Sequence, residues 1–224
     1  MAKLVLFDLD QTLIDLFKFH NSAFSKAFEK VFNKKASLDE IDFAGKTIKT
    51  VAIEIAKLKG ISKKELKKKF AKALKLYEKF FIDSLPKNLR PFLLKGASKL
   101  IKKLHKEGFI LVLVSGGPKK ILRTVLKRTG LLRYFSFIVS GEKEANRVRL
   151  VKGFVRKLKK KIVIEKIFVI GDSVRDIESG KAINAITIAV LTGFHSKKQL
   201  KKAKANYVFN NLVDIKIKFL NSLN

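Results

Sequence analysis

Short, continuous apolar runs punctuate the chain at LVLF (4 to 7), FILVLV (109 to 114), FSFIV (135 to 139), IFVI (167 to 170) and AITIAV (185 to 190). Runs of this length, bounded by Gly, Ser or Asp, predict strands buried on both faces. Amphipathic segments of helical length lie between them, at 96 to 107, 118 to 129, 149 to 160 and 174 to 183. Strand and helix in alternation predict an α/β fold with a Rossmann-like parallel sheet. Right-handed crossovers then place helices on both faces, and ligands are expected outside the carboxyl ends of the strands.

The interval from 16 to 90 breaks this rhythm. It carries three helical patterns, near 16 to 33, 38 to 58 and 62 to 84, with no convincing strand, and it ends at Pro86 and Pro91. The expectation is a helical domain over 16–90 inserted into a core formed by 1–15 and 91–224. Phe24, Phe28 and Phe32 recur at helical spacing within it and read as packing residues.

At 224 residues with 47% apolar composition and 19 Phe, the chain can fill one sizeable core. It has no Cys, which excludes disulfides, thiolate metal ligands and cysteine nucleophiles. This points to a cytoplasmic protein, as does the lack of a visible leader. No apolar run approaches the ~20 residues of a membrane span. The net charge of +31 invites nucleic acid as a partner. The lysines, however, are spread through KKELKKKF (63 to 70), KKLHK (102 to 106), KLKKK (157 to 161) and KKQLKK (197 to 202), alternating with apolar residues. That is the pattern of solvated helix faces, and a basic footprint without a reading motif is a weak sign of nucleic-acid binding. The same field attracts anionic small molecules, phosphate esters included.

Against this basic background, polar groups collect at strand ends. Asp8 and Asp10 follow the first run, Ser115 follows FILVLV, and Gly171 and Asp172 follow IFVI with Asp176 close behind. A parallel sheet brings these together at one edge. Crowded carboxylates raise one another's pKa unless a cation lies among them. Mg2+, a hard ion that prefers oxygen ligands, suits such a group. One carboxylate can then attack phosphorus and a second can serve as acid and base. Ser115 in VSGGP offers a hydroxyl, and Gly116 offers a backbone N–H near a helix start. Lys152 in RLVKGF supplies a candidate positive charge, Lys143 in GEKEAN competes with it, and Thr12 adds a hydroxyl.

DLDQT (8 to 12), VSGG with Ser115, a downstream lysine and GDSVRD (171 to 176) together resemble the haloacid dehalogenase superfamily. The resemblance runs over essentially the whole chain. It implies a Rossmann-like core with a C1-type helical cap, similar to phosphoglycolate phosphatases, and a Mg2+-dependent phosphatase acting on a small phosphorylated metabolite. Asp8 would be the nucleophile and Asp10 the acid/base. Asp8, the Asp10 backbone carbonyl and Asp172 would hold the metal, and Asp176 would steady its shell. Retention of Asp10 favours phosphatase over dehalogenase. A phosphomutase or dehalogenase on the same scaffold, or a non-catalytic, basic nucleic-acid-binding protein, are the alternatives. Gln11 stands where many of these phosphatases have Gly, and the Lys-Pro pair of the third motif is absent.

Gly45-Lys46-Thr47 is not a P-loop, since Glu40 stands where that pattern needs a glycine. In a capped phosphatase this loop would reach over the site and bring Lys46 to the substrate. His20, His105 and His195 have no metal spacing, and only His20 lies close enough after the first motif to approach a substrate.

Overall fold

A computed structural model of the chain describes residues 2–223. Six strands form one sheet: β1 (Ala2–Phe7), β2 (Ile110–Ser115), β3 (Phe137–Ser140), β4 (Ile164–Gly171), β5 (Ile186–Val190) and β6 (Tyr207–Phe209), in the order β3-β2-β1-β4-β5-β6. All five neighbouring pairs are parallel, because every connection crosses over through helix or insertion rather than a hairpin. The helices of this part are α4 (Ala97–Lys106), α5 (Lys119–Thr129), α6 (Arg147–Lys159), α7 (Val174–Lys181), α8 (Lys197–Lys202) and α9 (Ile217–Ser222).

The strands alternate between two cores. Val5, Phe7, Leu111, Leu113, Phe168 and Ile170 face one apolar cluster. Leu4, Leu6, Val112, Val114 and Val169 face the other, where Val151, Val155 and Leu158 of α6 cover them. Burying each of these side chains is worth about 1.5–3 kcal/mol, which explains why the central strands read as unbroken apolar runs rather than alternating ones.

Between β1 and α4 lie three further helices, α1 (Phe17–Phe32), α2 (Ile48–Leu58) and α3 (Lys63–Ser84). The chain leaves and re-enters the sheet layer side by side: Asp15 N–H donates to the Phe92 carbonyl, and Leu94 N–H to that of Leu13. Along α1 Phe24 stacks on Phe28 and Phe28 lies tilted against Phe32, with Phe24 edge-on to Tyr77 of α3. Among the described residues no helix is long and apolar enough to cross a membrane.

Two boundaries differ from the sequence expectation, and both bear on the site. The segment 38–58 is not one helix. Ser37 caps a single 3-10 turn (Leu38–Glu40), and α2 starts only after Thr47, whose hydroxyl accepts from the Thr50 N–H. Gly45, at φ +70°, sits in the loop between them, a conformation helices do not accept. Helix α6 begins at Arg147 rather than 149, because the Asn146 side chain accepts from the Arg149 N–H and caps it there. The edge strand β6 and helices α8 and α9 follow the last predicted run; their three to six residues are too short to leave a periodic signature.

Candidate active site

Parallel strands deliver their carboxyl ends to one rim, and the polar groups that follow β1, β2 and β4 meet there. Asp8 is anchored by its N–H, which donates to the Ile170 carbonyl of β4. Asp8, Asp172 and Asp176 are all buried, and one carboxylate oxygen of each lies within 4.8 Å of the others. Thr12, fully buried, donates its hydroxyl to Asp172 Oδ1 at 2.8 Å. Asp176 is held at the head of α7, where its Oδ2 accepts from both the N–H and the hydroxyl of Ser173. Ser115 and Gly116 line the same cavity, and Gly117 N–H donates to Ser115 Oγ.

The buried cation of this site is an arginine. One terminal nitrogen of Arg147 lies 2.6 Å from Asp8 Oδ1 and 2.6 Å from Asp176 Oδ1, and it also donates to the Val114 carbonyl. Lys152 is exposed, further along α6, and Lys143 is exposed in the preceding loop. Neither lines the cavity. The expected approach of Lys152 to the acids is not what the structure shows: the cation beside Asp8 is Arg147. Arg147 lies four residues before Val151, on the buried stripe that Val155 and Leu158 continue, whereas Lys152 lies off that stripe in solvent. Asn146, a strong N-cap residue, is the sequence signal for a helix start that includes Arg147.

Electrostatics follow from the crowding. Burial pushes the Asp8 carboxyl well above its ordinary range; Asp176, Asp172 and Asp10 add to the rise and Arg147 opposes it. Asp172 is pushed up to about 7 by burial and by Asp176, with Thr12 and Arg147 pulling the other way. Burial alone would lower Arg147, yet Asp176 and Asp8 hold it above its usual value. Three carboxylates against one guanidinium leave an excess of negative charge that a divalent cation would offset.

Asp10 faces elsewhere. Its Oδ1 lies 3.0 Å from His20 Nε2, and His20 Nδ1 lies 2.5 Å from the Tyr77 hydroxyl. The His20 ring stacks on Phe81 at 4.0 Å. Burial, then Asp10, raises the Tyr77 phenol well above its ordinary pKa, so the phenol keeps its proton beside His20 Nδ1. Tyr77 is a site residue that the sequence alone does not reveal, because contact with His20 requires α1 and α3 to pack. Gln11, at φ +61°, occupies a left-handed position; this accounts for the glycine many relatives of the motif carry there.

The loop 41–47 covers the opening. Arg175 at the start of α7 donates to the Ala44 carbonyl and to Asp42 Oδ2, and Ile48 N–H donates to the Gly116 carbonyl. A Cβ on Gly116 would stand 2.1 Å from the Lys46 carbonyl oxygen. Gly116→Ala is thus expected to lower kcat/KM about tenfold by unseating this loop, at an overpacking cost of about 1–3 kcal/mol. Steady-state kinetics and urea unfolding check both.

Residues 5–190 match the haloacid dehalogenase-like hydrolase family. The chain is 24% identical to phosphoglycolate phosphatase of Vibrio cholerae over 213 residues, covering 94% of this chain and 93% of the relative. It is likewise 24% identical to that of Pseudomonas fluorescens Pf-5 over 221 residues, covering 95% and 78%. In fold it is similar to a predicted phosphatase from Clostridium acetobutylicum (TM-score 0.78, 23% identity, 99% of both chains) and to β-phosphoglucomutase from Clostridium difficile (TM-score 0.76, 20% identity, 99% and 96%). With the family match spanning most of its length and its strand-end acids gathered in one buried pocket, the chain belongs to the haloacid dehalogenase-like hydrolases.

Proposed function

We propose that this protein is a Mg2+-dependent phosphatase that hydrolyses a small phosphorylated metabolite through an aspartyl-phosphate on Asp8, and that 16–90 is its cap and the remainder its core. One observation carries the reading: Asp8 and Asp172, far apart in sequence, share a buried pocket with a guanidinium bound to Asp8.

The donor set fits the ion. Asp8, the Asp10 backbone carbonyl and Asp172 would hold Mg2+, while Asp176, whose oxygens are taken by Ser173 and Arg147, positions rather than binds. Bound Mg2+ supplies charge neutralisation for the carboxylates and for phosphoryl oxygens. The other parts belong to the chain. A free oxygen of Asp8 attacks phosphorus, and the Arg147 guanidinium holds that carboxylate in place. Asp10 gives a proton to the leaving alcohol and later takes one from the hydrolytic water. His20, fixed by Tyr77, sets the direction of Asp10. Ser115 Oγ and the Gly116 N–H receive the phosphoryl oxygens, and the cap keeps bulk water out. The cysteine-free composition supports a cytoplasmic setting. The curated relatives make phosphoglycolate the first ester to assay.

Hydrolysis of p-nitrophenyl phosphate, with and without chelator, tests the reading. Chelation is expected to cost about a hundredfold in rate, consistent with the several kcal/mol a metal contributes, and Mg2+ should restore it. Undiminished release without metal rejects the reading. A phosphomutase would convert sugar phosphates with little free phosphate, which incubation with a sugar phosphate and measurement of the phosphate released separates.

Thermal unfolding gives an independent check. A carboxyl whose pKa is raised in the fold contributes stability below the unfolded value, near 4, and loses it as pH rises through the folded value, about 7 for Asp172. The metal-free protein should therefore lose stability over that window. Metal binding requires the ionised ligands, so the Mg2+-induced rise in Tm should be small at pH 6 and grow by pH 8. At a hundredfold excess over Kd it corresponds to about 2.7 kcal/mol.

A further inference from the structure

The two sides of the cavity are chemically unlike. The core side carries Asp8, Asp172 and Arg147; the cap side is mostly apolar, with Leu38, Phe43 and Ile48. Phe17, Phe43 and Phe194 pack on one another at 5.0–5.1 Å between centroids and close its outer edge. The cavity is small, about 110 Å³, and partly open to solvent. Lys46 is the single Lys or Arg the cap contributes to this lining. Its Nζ donates to Glu54 Oε2 at 2.5 Å, with the Lys46 side chain only 12% exposed. His20, the other basic group there, has both ring nitrogens engaged by Asp10 and Tyr77.

Resting on the phosphatase reading, we infer that the site selects phosphate monoesters whose leaving group is small, uncharged and partly apolar, and that Glu54 sets this preference by holding Lys46 in an ion pair. The phosphate end is served by the core whatever the ester. A carboxylate on the leaving group would sit against aromatic rings, where an unpaired charge is costly. Drawing Lys46 to that carboxylate would break its pair with Glu54, whose side chain is 38% exposed, so the new pair is offset by the loss of the one Lys46 already makes. An uncharged alcohol meets neither cost, and its carbon atoms fill the space between the rings. The long-range positive field does not alter this, because it acts on the phosphate common to all candidates.

A matched pair of esters tests the inference: 2-phosphoglycolate and 2-hydroxyethyl phosphate differ only in a carboxylate against a hydroxymethyl group. With Mg2+ present, the wild type is expected to favour 2-hydroxyethyl phosphate in kcat/KM by about tenfold, or about 1.4 kcal/mol. Glu54→Gln frees Lys46 and should shift the ratio toward phosphoglycolate by about tenfold, chiefly through KM. The double variant Glu54→Gln/Lys46→Met should lose that gain, which separates a freed cation from a general disturbance of the loop. A wild-type preference for phosphoglycolate, or a ratio unmoved by Glu54→Gln, overturns the inference while leaving the phosphatase reading intact. Absence of turnover on both esters and on p-nitrophenyl phosphate overturns the phosphatase reading, and this inference with it.

Discussion

Asp8→Asn should lower phosphatase turnover by about four orders of magnitude or more, the scale of losses when a covalent nucleophile is removed, while leaving a folded protein. The amide keeps the volume and the hydrogen-bonding shape of the carboxylate but does not attack phosphorus. The fold should survive because the Asp8 backbone stays pinned to the Ile170 carbonyl and Arg147 retains Asp176 as its ionic partner. Turnover of p-nitrophenyl phosphate, measured beside thermal unfolding, separates chemistry from folding. A variant with near wild-type turnover rejects Asp8 as nucleophile.

Arg147→Met should be costly in both respects. The guanidinium is nine-tenths or more buried and faces two buried carboxylates. Removing one partner of such a cluster leaves charge uncompensated, typically at about 3–5 kcal/mol. Turnover should fall by about three orders of magnitude, as for loss of a preorganised charge at a reacting centre. Mg2+ should recover part of the stability and little of the rate, because an added cation offsets charge but does not orient Asp8. Arg147→Lys keeps the charge and loses the fork. It should fall between wild type and Arg147→Met. Lys152→Ala, by contrast, removes a solvated lysine from the outer face of α6 and should change neither stability nor rate by more than about 0.5 kcal/mol. Comparison of these variants decides between the arginine and the lysine directly. A Lys152 variant with a crippled rate and a normal Arg147→Met would reverse the assignment.

The parts of this protein that could be read from its sequence are those whose signals are local. The buried strands announce themselves as apolar runs such as LVLF and IFVI, since residues covered on both faces have no solvent side to alternate with. The acids at their ends stand out because a carboxylate next to a buried strand is expensive without a purpose. The charged arm of the site was harder. Arg147 and Lys152 lie on the same helix and differ in direction: Arg147 shares the buried stripe of Val151, Val155 and Leu158, while Lys152, five residues on, points about 140° away from it at 3.6 residues per turn. Likewise the helical period over 38–58 runs on through 41–47, where Gly45 at positive φ and the cap at Thr47 interrupt the helix.

The sequence by itself determined the sheet, the acids at its carboxyl edge, the separate helical segment and the kind of chemistry those acids can perform, because each rests on periodicity or on residues adjacent in the chain. Tertiary structure alone decided which cation meets Asp8, that Tyr77 and His20 steady Asp10, and that Lys46 is already paired with Glu54. These are contacts between distant segments. Their geometry is set by helix starts, ring packing and loop closure, to which single residues contribute about 1 kcal/mol each, and only their sum in the packed molecule selects one arrangement.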